Sequence, residues 1–180
     1  MLTCVGGLLF SAQTFMGQEF LPAPPADRAL VYILDDQNKL VPLPFEPGQT
    51  PLRSDTVAKS TKSSYIELKG EHASTIPNTT IPRWFLFTYQ RPGVHPPFLV
   101  RLTPHGGARR VTAIAQKGLT GFAIDSEQII KPSVRVLARV EGEQVFVEFR
   151  PRSSLIPGEY AIIGDDLARL ATFRVVTAKP

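Results

Sequence analysis

The chain has 180 residues, of which 43% are hydrophobic and 20% charged, and its formal net charge is +4. That hydrophobic content excludes a disordered chain, and the length allows one domain with a sizeable core. No apolar run reaches the roughly 18 residues of a membrane-spanning helix. The one cysteine excludes an internal disulfide and a cysteine-rich zinc site.

The first segment predicts a secretory signal. Leu2 to Phe10 is a short apolar stretch followed by small and polar residues, which is typical of the hydrophobic part of a leader. It lacks a preceding lysine or arginine and a clear cleavage site, and the alternative is an N-terminal strand. We expect residues 1–18 to be a signal peptide and the protein to be secreted, periplasmic or at the cell surface.

A proline-rich segment follows. Residues 19–27 contain Pro22, Pro24 and Pro25, whose fixed φ angles and missing N–H donors predict an extended linker. Residues 28–180 then form one predicted domain.

The domain alternates between apolar and polar residues with a period of two, which predicts β-strands. The predicted strands are Ala29–Leu34, Leu40–Leu43, Ser64–Leu68, Trp84–Tyr89, Phe98–Leu102, Arg110–Ala115, Val134–Val140, Val145–Phe149, Glu159–Ile163 and Thr172–Val176. Short helical turns are predicted near Thr120–Ile124, Ser126–Ile130 and Asp165–Leu170. Since no segment sustains a 3.6-residue period, we expect an all-β fold: a two-sheet antiparallel Greek-key sandwich, immunoglobulin-like or related.

One hairpin can be predicted in detail. A two-residue turn at Gly142-Glu143 would place Val140 opposite Val145 and Val136 opposite Phe149. The valines of both strands would then face the core. Charged side chains would share the opposite face, where cross-strand pairing explains several of the arginines of the second half.

The most specific motif lies near the end of the chain. Leu155, Pro157, Gly158 and Tyr160 match the Leu-x-Pro-Gly-x-Tyr form of a tyrosine corner, in which the hydroxyl bonds back to the backbone between two sheets. We assign these four residues a structural role. The motif favours a sandwich and carries no information on activity.

The second half also resembles a group of uncharacterised exported bacterial β-sandwich proteins. The likeness spans residues 60–177 and depends on the Pro-Gly-Glu-Tyr segment and on a last strand with phenylalanine, here Ala171–Val176. The resemblance implies export and a sandwich fold. It transfers no active site, because no reaction is known for the group.

One strand has aromatic residues on both faces and gives the candidate binding residues. Phe85, Phe87 and Tyr89 would share one face and Trp84 the other. Burial on both sides is one interpretation. The other is an exposed Trp84 that stacks on a sugar ring or a partner surface. We therefore name Arg83, Trp84 and Arg91 as candidate binding residues.

Motifs for catalysis are absent from the sequence. It has no Gly-x-Ser-x-Gly elbow, no phosphate-binding glycine loop and no histidine pair at metal-ligand spacing. We predict no enzyme, no cofactor and no metal site. The alternative is a small hydrolase with its site in the loops around His95 and His105.

Taken together, these patterns predict a non-catalytic binding or structural module. A sheet edge or the Trp84 face would contact a protein partner, a second copy of the chain or a glycan. Nucleic acid is not expected as a partner, because no basic run exceeds two residues and acidic residues are interspersed.

Overall fold

The computed structural model describes residues 19–47, 64–90, 97–115, 122–124, 126–164 and 169–177. Thirteen strands lie in these ranges: β1 (Val31–Leu34), β2 (Leu40–Leu43), β3 (Phe45–Pro47), β4 (Ser64–Lys69), β5 (Trp84–Tyr89), β6 (Phe98–His105), β7 (Ala108–Ala115), β8 (Phe122–Ile124), β9 (Ile129–Ile130), β10 (Pro132–Arg139), β11 (Gln144–Pro151), β12 (Gly158–Ile163) and β13 (Arg169–Val175). Within these ranges no helix is long and apolar enough to cross a membrane.

Two antiparallel sheets contain these strands. The smaller sheet has the order β10-β11-β5-β1-β2. The larger has the order β3-β13-β12-β6-β7-β4, with β8 beside β7 and β9 beside β6. The prediction of an all-β, two-sheet sandwich is therefore confirmed. Its Greek-key or immunoglobulin-like type stays a prediction.

The main core lies between the two sheets and follows from the alternation of side chains along each strand. Trp84 of β5 is central to it, with its ring centroid 4.8 Å from that of Phe173 and 6.2 Å from that of Phe149. Tyr160 stacks on the other side of Phe173 at 5.4 Å. Aromatic pairs at such distances add packing specificity to the burial of their area.

A second core lies on the far side of the larger sheet. Alternate residues of β6, β12 and β13 point away from the smaller sheet and pack against Ile66 and Leu68 of β4, Val111 of β7 and Ile124 of β8. The larger sheet therefore curls so that its β4–β7–β8 end covers its own outer face. This arrangement hides apolar surface that a flat sheet would expose to water.

Residues 19–28, here called the N-terminal strap, cover the outer face of the smaller sheet. Phe85 and Phe146 point outward from that sheet, yet both are 0% exposed. The strap has contacts at both ends of this face, because the carbonyl of Phe20 accepts from Arg83 at 3.1 Å and the Arg28 guanidinium lies over the Phe87 ring. Residues 19–27 therefore contact the domain at Phe20 and Asp27, and their role as a linker stays a prediction.

Most predicted strands agree with the structure to within a few residues, and the predicted helical turns do not. Residues 122–124 form β8, and the turn at 126–128 leads into β9 rather than a helix. Tertiary pairing decides here, because β8 and β9 are short segments that hydrogen-bond to β7 and β6. The third predicted turn lies largely outside the described residues, apart from Arg169 and Leu170 in β13.

The register of the predicted hairpin is wrong by two residues before a bulge and by one residue after it, where Val145 lies opposite Arg139. Phe149 lies opposite Val134, and a β-bulge after Val136 then brings Ala138 opposite Phe146. The loop spans residues 141–143, because the Val140 N–H donates to the Gln144 carbonyl at 3.0 Å. A bulge inserts one unpaired residue, so the side chains beyond it change face.

Candidate functional site

Trp84 is not a surface residue, and the prediction of an exposed Trp84 face is wrong. The ring is 0% exposed and lies between the two sheets. The reason is that β5 is the central strand of the smaller sheet, with one face on the main core and the other beneath the strap. Arg91, the third predicted binding residue, lies outside the described residues.

Arg83 forms ion pairs that join the smaller sheet to the start of the strap. Its Nε donates to the buried carboxylate of Glu148 at 2.6 Å, and its guanidinium lies 3.6 Å from the Glu19 carboxylate. Glu19 also pairs with Arg135 at 2.9 Å and Arg150 at 3.5 Å. The start of the strap is thus bound by three arginines of the smaller sheet.

The outer side of β10, here called the β10 edge, is the first candidate surface. Among the described strands, β10 lies at the end of its sheet order and pairs with β11 alone. Val134 and Val136 are 47% and 42% exposed. The residues opposite them on β11, Phe149 and Val147, are buried. The apolar inner face of the sheet therefore continues past the rim of the core onto this strand.

Basic side chains surround the β10 edge. The exposed members on or beside the β10–β11 hairpin are Lys131, Arg135, Arg139, Arg150 and Arg152. Acidic groups near them are Glu19, which pairs with two of these arginines, and Glu141 and Glu143 in the hairpin loop. Positive charge therefore lies along the hairpin, partly balanced by Glu19 beside Arg135 and Arg150, and the other two carboxylates lie in the hairpin loop.

The four residues of the predicted tyrosine corner are placed together. Tyr160 donates its hydroxyl to the carbonyl of Ile156 at 2.6 Å, four residues upstream, and Leu155 is buried in the main core. Burial raises the pKa of Tyr160 above its ordinary value of 10.0, against the opposing effect of the Arg101 charge. A Cβ on Gly158 would lie 3.3 Å from the Arg101 Nε, so glycine leaves room for that side chain.

A buried ionic cluster joins the two ends of the larger sheet. Arg109 of β7 is 1% exposed and binds both carboxylate oxygens of Glu46 on β3. It also donates to the carbonyls of Gly70 at 2.9 Å and Lys69 at 3.0 Å. The Thr172 hydroxyl donates to Glu46 as well. We call this set, with Glu159 at 3.9 Å from Arg109, the Arg109 cluster.

A cleft opens beside the Arg109 cluster, and we call it the basic cleft. Its volume is about 860 Å³. The side chains that matter for its chemistry are Arg101, Arg174, His72, His105 and Glu159. Glu159 already accepts hydrogen bonds from the Ala73 N–H at 2.9 Å and is 3.0 Å from His72 Nδ1. The cleft is the second candidate surface.

Of the two predicted histidines, only His105 lies among the described residues. His105 ends β6 and lines the basic cleft, but His95 lies outside the described residues, and the histidine that shares the cleft is His72. Among the described residues, no group of three or more His, Cys, Asp or Glu side chains could hold a metal ion.

Arg109, Glu46 and Glu159 were not among the candidate residues. The predicted strand began at Arg110, which left Arg109 in the preceding turn. The one available signal was the i, i+2 relation between Arg109 and Val111, which places both on the same face of a strand.

No protein-family model, no curated protein and no solved structure matches the chain.

Proposed function

We propose that the chain is an exported, non-catalytic binding module that holds an extended acidic segment of a partner protein along the β10 edge. The observation that supports this is the exposure of Val134 and Val136 on a strand that pairs with one neighbour in the part of the chain that the structure describes. A free edge offers backbone donors and acceptors to an added strand.

The geometry of β10 favours such an addition over part of its length. From Pro132 to Val136 the pairing with β11 is regular, and the bulge comes only after Val136. An added strand would place alternate side chains beside Val134 and Val136 and extend the inner apolar face of the sheet. Backbone hydrogen bonds would give affinity, and the two valines would select apolar side chains.

Charge favours a partner protein over a second copy of this chain. Two β10 strands paired edge to edge would bring Arg135 and Arg139 of one copy close to the same residues of the other. Like charges that face each other across strands are destabilising. An acidic segment would instead meet the basic side chains around the edge with complementary charge, which also accelerates encounter.

Export is supported by the apolar segment Leu2–Phe10 and the residues that follow it. The intact mass of the protein from its native host tests this part of the proposal. We expect a mass that lacks the leader, and a full-length cytoplasmic protein would contradict export.

Binding at the β10 edge is tested by NMR titration of the full chain with a short peptide of alternating glutamate and valine. We expect amide shifts concentrated in residues 133–136 and a weaker response to a lysine–valine peptide. The double variant Val134→Asp, Val136→Asp is expected to abolish binding. Both positions are already exposed, so the fold is expected to survive.

The matched control is Val41→Asp, which changes an exposed valine on β2 at the opposite edge of the same sheet. It is expected to bind the acidic peptide like the unmodified chain. Equal loss in the control and the double variant, or shifts spread away from β10, would contradict the proposal.

A further inference from the structure

We propose that the basic cleft is a second binding site, which takes a small ligand through an oxyanion group such as a phosphate, sulfate or carboxylate. The cleft belongs to the larger sheet, whereas the β10 edge belongs to the smaller one. Its volume of about 860 Å³ lies within the usual range of small-molecule sites. The inference therefore goes beyond the proposed function and stands on separate residues.

Arg174 is the first observation. Its Nε is buried, and among the described residues this atom has no hydrogen-bond partner. A buried donor without a partner is unfavourable by about 1–3 kcal/mol. Arg174 lines the cleft, so an oxyanion bound there would lie beside a charged side chain whose Nε is unpaired among the described residues.

Arg101 is the second cation of the cleft and is exposed. Its guanidinium makes a long hydrogen bond of 3.4 Å to the Pro157 carbonyl. It lies against Gly158, where a Cβ would come within 3.3 Å of Nε. Gly158 therefore leaves Arg101 room at the rim. A planar guanidinium suits the paired oxygens of phosphate, sulfate and carboxylate groups.

The carboxylates of the cleft leave these arginines available. Glu159 is buried, and its oxygens are engaged by the Ala73 N–H and His72, with Arg109 3.9 Å away. Glu71 is exposed at the rim, where solvent screens its charge.

Two further residue types complete the lining. His72 and His105 offer ring nitrogens that can donate to an anion. Gly106 and Gly107 form the turn between β6 and β7 with positive φ angles of 55° and 78°, and no atom lies within 4 Å of where their Cβ atoms would be. This part of the wall is open backbone that a ligand can approach closely.

The test is an NMR titration of the full chain with inorganic phosphate, sulfate and acetate in separate arms, at ionic strength held constant with chloride. We expect saturable shifts of the Gly106, Gly107 and Glu159 amides with at least one anion. The anion that saturates first identifies the oxyanion class. Absence of saturable shifts in all three arms would overturn the proposal.

Neutral variants separate a site from general screening. Arg174→Gln and Arg101→Gln are each expected to weaken binding by about tenfold, as expected from the loss of a charged hydrogen bond. Lys39→Gln, at an exposed position in the turn between β1 and β2, changes the net charge equally and is expected to leave anion binding unchanged. Equal weakening in all three variants would contradict a site in the cleft. Because Arg101 is exposed, Arg101→Gln keeps the test informative if Arg174→Gln fails to fold.

Gly158→Ala gives a test that keeps the charge. The added Cβ would crowd the Arg101 guanidinium, so we expect weaker anion binding with the spectrum of the remaining domain preserved. The matched control is Gly164→Ala, where nothing lies within 4 Å of the added Cβ. Unchanged anion binding in Gly158→Ala would remove Arg101 from the site.

Discussion

The two sheets of this protein hide their outer faces in different ways. The larger sheet curls, so that β4, β7 and β8 cover the face that β6, β12 and β13 turn away from the main core. The smaller sheet stays open, and the N-terminal strap, which lies outside its strand order, contacts its outer face through Phe20, Asp27 and Arg28. One cover is part of the sheet's own hydrogen-bond ladder, and the other is a separate segment held by side chains.

The ionic groups that hold each cover in place follow the same division, whereas the buried Arg83–Glu148 pair lies within the smaller sheet itself. In the larger sheet Arg109 is fully buried and its charge is met by Glu46 and backbone carbonyls. In the smaller sheet Glu19 is 42% exposed and binds arginines at the surface. Buried pairs are expensive to break, whereas exposed pairs contribute little. The curled sheet should therefore behave as one cooperative unit with the core, and the strap should open separately.

The largest expected effect is that of Arg109→Ala. Removal of the guanidinium leaves Glu46 without its cation and two backbone carbonyls without their donor. We expect the free energy of unfolding to fall by about 3–5 kcal/mol, as measured by urea denaturation.

The matched control is Arg110→Ala on the same strand. Arg110 faces the opposite side, where it pairs with Glu67 at 2.6 Å and both side chains are partly exposed. We expect a loss of about 0–1 kcal/mol. Similar losses at both positions would show that burial of Arg109 does not matter. If Arg109→Ala cannot be purified, Arg109→Lys retains the charge without the planar fork and should still unfold earlier than Arg110→Ala.

Removal of residues 1–27 is expected to have the next largest effect. It uncovers Phe85 and Phe146, each fully buried in the intact chain, and partial exposure of two such rings corresponds to about 2–4 kcal/mol. We expect lower stability to urea and new binding of a hydrophobic dye.

The only tryptophan gives the control for that experiment, because Trp84 faces the main core and not the strap. Its fluorescence should stay shielded from acrylamide after the truncation. Quenching that rises together with dye binding would mean that the strap and the core open as one unit, against the division drawn above.

The sequence predicted those features that the residues of a single strand or turn determine. Alternation located most strands, and Leu155 to Tyr160 marked the corner between sheets. Sheet order could not be read from it, and sheet order decides which apolar faces are covered. The two interpretations of Trp84, burial and exposure, could therefore not be separated, since only the position of β5 between β11 and β1 shows that both its faces are hidden.

The candidate surfaces depend on the same missing information. Val134 and Val136 follow the pattern of core residues, and their exposure results from the position of β10 at the end of its sheet. Arg101, Arg174 and His72 are far apart in the chain and share a cleft only because β6, β13 and the segment after β4 meet there. Such long-range pairing leaves no signal in a local pattern.

Glu19→Ala is expected to weaken the strap without removing it. The carboxylate pairs with Arg83, Arg135 and Arg150, but it is well exposed, so the loss should be about 1 kcal/mol or less. The difference from the intact chain should shrink as salt is raised, because exposed pairs are screened. A loss as large as that of the truncation would show that charge, not apolar cover, holds the strap.

The smallest expected effects on stability are those of replacing two tyrosines, Tyr32 in the smaller sheet and Tyr160 in the larger sheet. Tyr32 donates its hydroxyl to the Asp27 carbonyl of the strap at 2.8 Å, and Tyr160 donates to Ile156 at the corner. Replacement of either by phenylalanine should cost about 0.5–1.5 kcal/mol. Only Tyr32→Phe should increase dye binding to the outer face of the smaller sheet.

Alkaline pH should act on the same two hydroxyls. Burial raises the pKa of Tyr32, with a further increase from the Asp27 charge, and burial raises the pKa of Tyr160. Since the folded chain holds these protons above pH 10, where the unfolded chain releases them, their contribution to stability is complete below pH 10. It is then lost as the pH rises through the folded pKa values. We expect urea stability to fall above pH 10, and to fall less steeply in each phenylalanine variant. If both variants lost stability above pH 10 as steeply as the unmodified chain, neither tyrosine would be linked to unfolding.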